Sequence, residues 1–238
     1  MLEIKNVTKR YPGSDKGIKN ISFSVRPGDI HAFIGPNGAG KTTLIKAVCG
    51  IHAFDSGEIR IGGVSIKENP LACKKMLACI PDNPDIYEYL TGIQFLNFIA
   101  DVFDVKADVR KERISRYAEA FEITSALGSL ISTYSHGMKQ KLVIIASLLH
   151  EPKLLILDEP FVGLDPKASV TLKGFMREIC DQGGAILYST HVLEVAEKLS
   201  NRVSIIKDGV LLKTGDMDEI VGEGRTLEDI FMEVAADA

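Results

Sequence analysis

The segment Gly35-Pro-Asn-Gly-Ala-Gly-Lys41-Thr42 constrains this chain more than any other stretch. It fits the pattern G-x-x-x-x-G-K-[ST]. It follows Ile30–Ile34 (IHAFI), a short apolar run that reads as a strand, and precedes Thr43–Cys49, which reads as a helix. A strand that turns through glycines into a helix belongs to a crossover unit, so the expected architecture is an α/β sheet. The same context gives the loop its chemistry. Glycines let backbone N–H groups close around phosphate oxygens, and the helix N-terminus adds a positive dipole end and free donors. Lys41 reaches β- and γ-phosphates, and the Thr42 hydroxyl is a ligand for Mg²⁺. Gly35, Pro36, Asn37, Gly38, Ala39, Gly40, Lys41, Thr42 and Thr43 are therefore the candidate nucleotide-binding residues.

A second motif supplies acidic groups. Leu154–Leu157 is a continuous apolar run, the pattern of a strand buried on both faces of a parallel sheet. It delivers Asp158 and Glu159 at its C-terminal end, where open α/β sheets bind ligands. Asp158 is the candidate metal ligand, and Glu159 the candidate to polarise a water. An acidic pair alone marks only a strand end; beside a phosphate loop it reads as a hydrolase.

The remaining pattern fills in the sheet. Ile18–Val25 alternates as a strand, with a turn at Arg26-Pro27-Gly28-Asp29 before Ile30. Glu58–Ile61 and Val64–Ile66 read as a small strand pair turning at Gly62-Gly63. Residues 86–151 read mostly as helix, with Met138, Leu142, Ile145 and Leu149 at helical spacing and Pro152 ending the last helix. Pro166–Asp181 reads as a helix. Ala185–Ser189 and Val203–Lys207 read as strands, the latter turning at Asp208-Gly209 into Val210–Lys213. The helical middle is expected to be an inserted subdomain, residues 86–152, within a nucleotide-binding unit made of residues 1–85 and 153–238.

Composition excludes several classes. With 45% hydrophobic and 25% charged residues and a net charge of −4, the chain is neither disordered nor built as a general nucleic-acid binder. The longest apolar run, Leu142–Leu149, is far short of the roughly 20 residues of a spanning helix. No signal-peptide pattern opens the sequence. The four cysteines, Cys49, Cys73, Cys79 and Cys180, lack metal-ligand spacing and read as reduced, buried thiols.

Tyr134-Ser135-His136-Gly137-Met138-Lys-Gln140 narrows the reading. A lone Ser-x-Gly marks only a helix start, but this one precedes Asp158 by about 20 residues. Here the chain resembles the ATP-binding cassette (ABC) family. The family signature LSGGQ aligns with Tyr134–Met138; Ser135 and Gly137 match it, while Tyr134, His136 and Met138 depart. The form S-x-G-M-K-Q and the amphipathic tail from Thr226 to Val234 look like the exporter-type branch.

The resemblance covers nearly the whole chain and implies the following. The fold is a P-loop NTPase (RecA-like) α/β core with an N-terminal antiparallel β subdomain and an inserted α-helical subdomain. The cofactors are ATP and Mg²⁺. Tyr11 stacks on adenine, against the simpler reading of a strand-end core tyrosine. Gly163-Leu-Asp165 shapes a dimer interface. His191 senses the γ-phosphate. Asp82 stands where the family usually has a glutamine beside the metal, and joins Thr42 and Asp158 as a candidate metal contact. Catalysis falls to Glu159, His191 and Lys41. Two chains sandwich two ATP molecules, so Ser135 and Gly137 touch the ATP held by the partner. The other partner is a transmembrane permease, contacted by the segment from Asn83 to Phe98 with Pro84, Tyr87, Tyr89, Leu90 and Phe95; the alternative is that this segment merely packs the helical subdomain. The chain is expected at the cytoplasmic face of the cell membrane. A soluble ABC ATPase of the Fe–S assembly type and a regulatory nucleotide-binding module are the competing classes.

Overall fold

The computed structural model describes residues 1–83 and 86–236. Pro84, and the boundary expected after residue 85, fall outside the described residues.

Two sheets and two cores organise the chain. The larger sheet contains β3 (Ile30–Ile34), β6 (Leu77–Ile80), β7 (Leu154–Asp158), β8 (Ala185–Thr190), β9 (Arg202–Lys207) and β10 (Val210–Asp216), in the order β10-β9-β3-β8-β7-β6. Strands β9, β3, β8, β7 and β6 run parallel, and β10 pairs antiparallel with β9 at the edge. The smaller sheet is antiparallel, β2-β1-β4-β5, built from β1 (Leu2–Tyr11), β2 (Ser14–Val25), β4 (Ser56–Ile61) and β5 (Val64–Ser65).

Strand periodicity explains how one sheet serves both cores. Side chains alternate across a strand, so β3 divides its residues. Ile30, Ala32 and Ile34 enter a core shared with the helices of the chain's middle. Phe33 enters the other core, with α1 (Lys41–Val48) and the antiparallel sheet. Strand β7 does the same, with Leu155 and Leu157 on the first side and Leu154 and Ile156 on the second. All four are fully buried, and burial of each such side chain contributes about 1.5–3 kcal/mol. That is why the sequence shows a continuous apolar run and not an alternating one.

Between β6 and β7 the chain forms α3 (Gly92–Val102), α4 (Ala107–Ala120) and α5 (His136–Leu148), with two short 3-10 turns between α4 and α5. Thr91 begins α3 with a capping box: its hydroxyl accepts from Gln94 N while the Gln94 side chain accepts from Thr91 N. Asp165 caps α6 (Pro166–Asp181), accepting from Ala168 N at 2.8 Å, with Pro166 in the first turn. Helices α7 (Leu193–Leu199), α8 (Met217–Val221) and α9 (Leu227–Ala236) follow; Leu227 and Ile230 of α9 are buried in the first core.

Several features differ from the sequence reading, among them the following. Helix α1 begins at Lys41, not Thr43, so Lys41 and Thr42 lie on its first turn. Helix α2 (Pro70–Met76) and strand β6 were not legible, because each is short and β6 exists through its pairing with β7. The four cysteines are free, but Cys79 is only partly buried. Cys49 and Cys79, distant in sequence, meet in space: the Cys49 thiol is held well above its ordinary range, first by its hydrogen bond with Cys79 and then by burial.

One buried group sets an acid limit on this core. His31, on β3, is fully buried between the Phe23 ring and Ser204 Oγ, which lies 2.8 Å from its Nε2. Burial, helped by nearby Arg202, lowers its pKa from 6.5 to about 3. The unfolded chain therefore binds a proton below pH 6.5 that the folded chain refuses. This contribution to stability is fully present above pH 6.5, declines by about 1.4 kcal/mol per pH unit below it, and levels off near pH 3, a total of roughly 5 kcal/mol. His31→Phe should flatten the fall in urea-unfolding free energy between pH 6.5 and 4. An unchanged slope in the variant would show that His31 is not the group responsible.

Candidate functional site

The loop between β3 and α1 is shaped by close backbone approaches from two sides. A Cβ at Gly35 would lie 2.3 Å from the Ile206 carbonyl of β9. A Cβ at Gly40 would lie 2.8 Å from Ile18 Cγ2 and 3.0 Å from the Gly17 carbonyl of β2, and Gly40 has a φ of +106°. Only glycine meets these demands. Gly40 is the N-cap of α1 without a capping side chain, and no acidic residue occupies the first turn. The positive end of α1 thus has no acidic side chain of its own first turn over it, which favours an anion there.

A cleft of about 350 Å³ opens over this loop. Tyr11, Pro36, Asn37, Gly38, Gly40, Lys41, Thr42, Thr43, Asp82, Asp158 and Glu159 line it, together with Lys16 and Gly17. Gly35 and Ala39 stand behind the lining: Ala39 is buried in the core beside α1, and Gly35 follows the last residue of β3.

Lys41 is 6% exposed. Its Nζ donates to the Gly35 carbonyl at 2.7 Å and the Pro36 carbonyl at 3.3 Å, and lies 3.7 Å from Glu159 Oε1. Asp158, at the end of β7, is 2% exposed. Its Oδ2 accepts from the Thr42 hydroxyl at 2.7 Å, and its Oδ1 accepts from the Ser189 hydroxyl. Ser189 Oγ also accepts from Glu159 N at 3.1 Å. Glu159 has a φ of +48°, a sparsely populated conformation for a side-chain-bearing residue. Its Oε1 lies 3.0 Å from Nδ1 of His191, which follows the end of β8 and is half exposed. His191 thus reaches the cleft through Glu159.

The donor set suits a hard divalent cation. Among the described residues, no basic side chain forms an ion pair with buried Asp158, and hydroxyl and carboxylate oxygens are the ligands such an ion takes. Among the described residues that line the cleft, three carboxylates (Asp82, Asp158, Glu159) face two ammonium groups (Lys16, Lys41). A polyphosphate entering alone would meet excess negative charge, which a divalent cation offsets.

Tyr11 lies at the end of β1 and lines the cleft, so it is not a core tyrosine. Its hydroxyl is 3.2 Å from His52 Nδ1, and Lys9 Nζ sits 5.6 Å from its ring centroid. Ser135 and Gly137 are elsewhere, at the head of α5, and neither is among the described residues that line the cleft. Ser135 is the N-cap of α5, its hydroxyl accepting from Met138 N at 3.3 Å.

Comparison with known proteins settles the family. The family model described as ABC transporter matches residues 18–162, more than half of the chain. The chain belongs to the ABC transporter family. Across 98% of its length this ABC chain is 32% identical to the ABC-type transporter ATP-binding protein EcsA of Bacillus subtilis (strain 168), covering 96% of that protein. It is 35% identical to the SkfA peptide export ATP-binding protein SkfE of the same organism, over 90% of this chain and 88% of that one. A solved structure described as the ATP binding subunit of an ABC transporter superposes with a TM-score of 0.93 at 33% identity, covering 99% of both chains. A dimeric ATP-binding cassette in a post-hydrolysis state, with ADP and Pi, shares the fold with a TM-score of 0.81 at 19% identity, over 91% of this chain and 99% of that one. The expected P-loop α/β fold, ATP binding and ATP hydrolysis in the service of an ABC transporter are thereby established.

Sequence reasoning missed Lys16, Gly17, Ser189 and His52. Gly17 and Lys16 come from β2, and only the meeting of the two sheets brings them to the cleft. Ser189 carries only a strand pattern in the sequence, yet it bridges Asp158 and Glu159. Ser189→Ala removes that bridge without touching the loop, so kcat should fall about tenfold, as for a lost charge-assisted hydrogen bond, with ATP affinity within about twofold. Steady-state hydrolysis combined with equilibrium nucleotide binding checks this; an unaltered kcat would show that the bridge is dispensable.

Proposed function

We propose that this ABC subunit hydrolyses ATP at a site completed only by a second copy or a paralogue, and that it drives export. One observation carries the reading: the loop, Lys41, Asp158 and Glu159 share a cleft, while Ser135 and Gly137 cap a helix outside it. In this reading the gripping loop, Gly35 to Thr43, holds the phosphates through backbone N–H groups and the Lys41 ammonium. Tyr11 takes the adenine. Thr42 and Asp158, with Asp82 alongside, would hold Mg²⁺, which supplies charge neutralisation at the phosphates.

Glu159 is the general base that orients and deprotonates the attacking water. Its contact with His191 and its backbone anchor on Ser189 set its carboxylate in advance. His191, within reach of Glu159, is suited to sense the γ-phosphate. Each partner's α5 would present Ser135 and the Gly137 N–H to the γ-phosphate of the opposite ATP, as a helix N-terminus does for an anion. Loss of that phosphate removes the bridge between chains, and the dimer opens. A cassette of the same fold is described as dimeric in a post-hydrolysis state with ADP and Pi, which supports a two-chain reading.

The permease would dock on the helical segment, taken as residues 86–152 and inserted into the nucleotide-binding unit of residues 1–85 and 153–238. An exposed aromatic group supports this. Tyr87, Tyr89 and Phe98 are 46%, 74% and 42% exposed, with Tyr87 5.9 Å from Tyr89 and 5.7 Å from Phe98 between ring centroids. Beside them runs an apolar groove of about 390 Å³ lined by Leu77, Pro81, Ile86, Phe95, Ile99 and Val143 among others. Such a groove takes the apolar face of a helix. No helix among the described residues is long and apolar enough to cross a membrane. Relatives named as ATP-binding proteins of ABC transporters support a separate permease subunit, with this chain at its cytoplasmic face. Export is favoured by the relatives named for peptide export and for linearmycin resistance, the latter 33% identical over 92% of this chain.

Glu159→Gln should retain ATP binding, lose hydrolysis by about 10²–10⁴-fold, and migrate as a dimer in gel filtration with ATP. A monomer at saturating ATP would sink the shared-site model. Tyr87→Ala should leave ATPase activity of the isolated subunit intact while reducing its co-purification with the permease; equal recovery would remove Tyr87 from the docking surface.

A further inference from the structure

The loop from Glu159 to Asp165 links the carboxylate of the site to α6, and α5 touches it at three points. The His136 ring lies over Gly163: a Cβ there would be 2.8 Å from His136 Cδ2 and 3.0 Å from Nε2. Gly137 abuts the Gly163 carbonyl, which a Cβ at Gly137 would approach to 3.0 Å. Lys141 Nζ, one turn further along α5, pairs with Asp165 Oδ2 at 2.6 Å. These contacts join the head of α5, which carries Ser135, to the segment that carries Glu159.

We propose that His136 is a positioning residue for hydrolysis, whose ring braces Gly163 and so holds the Glu159 loop against the head of α5. The inference rests on the reading of Glu159 as the general base.

The loop has few other restraints at its centre. Val162 N donates to the Glu159 carbonyl at 3.2 Å and Leu164 N to the Phe161 carbonyl at 3.4 Å, two turns that set its path. Phe161 is held by an edge-on contact with buried Tyr188 at 6.1 Å, and Asp165 by capping α6. Between these anchors Gly163, at φ +80°, has no side chain of its own to lock it. A glycine at that conformation has wide backbone freedom, and the neighbouring ring supplies the missing restraint. His136 is itself exposed at the first turn of α5, where a side chain is not needed for the core. The residue type matters because the ring is flat enough to cover Gly163; the family signature has glycine at this position and lacks such a brace.

The consequence is a link between the two halves of a shared site. A γ-phosphate bound by the head of α5 belongs to the partner's ATP, whereas the Glu159 loop serves the chain's own ATP. Through His136 and Gly163, occupancy at the first biases the geometry of the second. Positioning errors of an ångström at a catalytic group are worth up to about 10²-fold in rate, so a partial loosening should register near tenfold.

The test compares His136→Ala, His136→Phe and Glu159→Gln with the unaltered protein. His136→Ala should lower kcat about tenfold, leave equilibrium affinity for a fluorescent ATP analogue within twofold, and reduce the Hill coefficient for ATP. His136→Phe, which restores a ring without a titratable group, should recover most of the kcat. Full kcat in His136→Ala, loss of affinity with kcat intact, or no recovery in His136→Phe would each overturn the proposal. Glu159→Gln separates the two levels of inference: if it hydrolyses normally, the site reading fails; if it is inactive while His136→Ala is fully active, only the brace fails. A second measurement guards against misfolding. The loss of kcat caused by Gly163→Ala should shrink in the His136→Ala background, because the ring its Cβ would strike is gone and the φ penalty is common to both. Equal losses in the two backgrounds would refute contact between ring and loop.

Discussion

The close approach of Gly35 to the Ile206 carbonyl and of Gly40 to Ile18 and the Gly17 carbonyl is the constraint on which the site depends. The loop between β3 and α1 is wedged between β9 of one sheet and β2 of the other. Its curvature is therefore set by tertiary packing as well as by its own glycines. Everything that grips phosphate follows from that curvature: the open end of α1, the Lys41 ammonium beneath the loop, and Thr42 facing Asp158. The two sheets are structural elements of different kinds, and their contact at this loop is what turns them into one binding unit.

Electrostatics then divides the labour. Lys41 and Glu159 lie 3.7 Å apart on nearly buried side chains, where Coulomb interactions are stronger than in water. Asp158 is satisfied by two hydroxyls instead of a cation. Such an arrangement keeps the basic and acidic groups distinct and in place, with Ser189 holding the backbone of one carboxylate while donating to the other. The cost of burying these charges is offset by directed hydrogen bonds, as low-dielectric sites require.

Much of this was legible from residue order. The strand Ile30–Ile34 is legible with its true bounds because a short run, apolar except for His31, ends at a glycine that stops the strand. Leu154–Leu157 is legible because a strand buried on both faces has no polar member to break the run, and the strand extends one residue further, to Asp158. Strand β6 was not, because four residues following Lys-Lys-Met carry too little pattern, and its strand state comes from β7. In the site, residues with a motif were found and residues that act through geometry were missed. Ser189 and Lys16 have ordinary neighbours in sequence, and their roles arise from strands that pair or sheets that meet. The same limit hid the brace: His136 is visible as a departure from a pattern and Gly163 as part of a loop, but their contact is not.

Strand β3 has one more consequence, for the order in which the protein takes shape. Its hydrogen-bonding partners are β8 and β9, more than 150 residues later in the chain, and the carbonyl that shapes Gly35 belongs to β9. A growing chain emerging from a ribosome carries the glycine loop early but lacks the strands that flank β3 until residue 207 has appeared. The antiparallel sheet and the helical segment are built from contacts closer in sequence and have no such wait. Contacts of long sequence separation form late and slowly, so the nucleotide cradle is among the last parts completed, although its residues are among the first made.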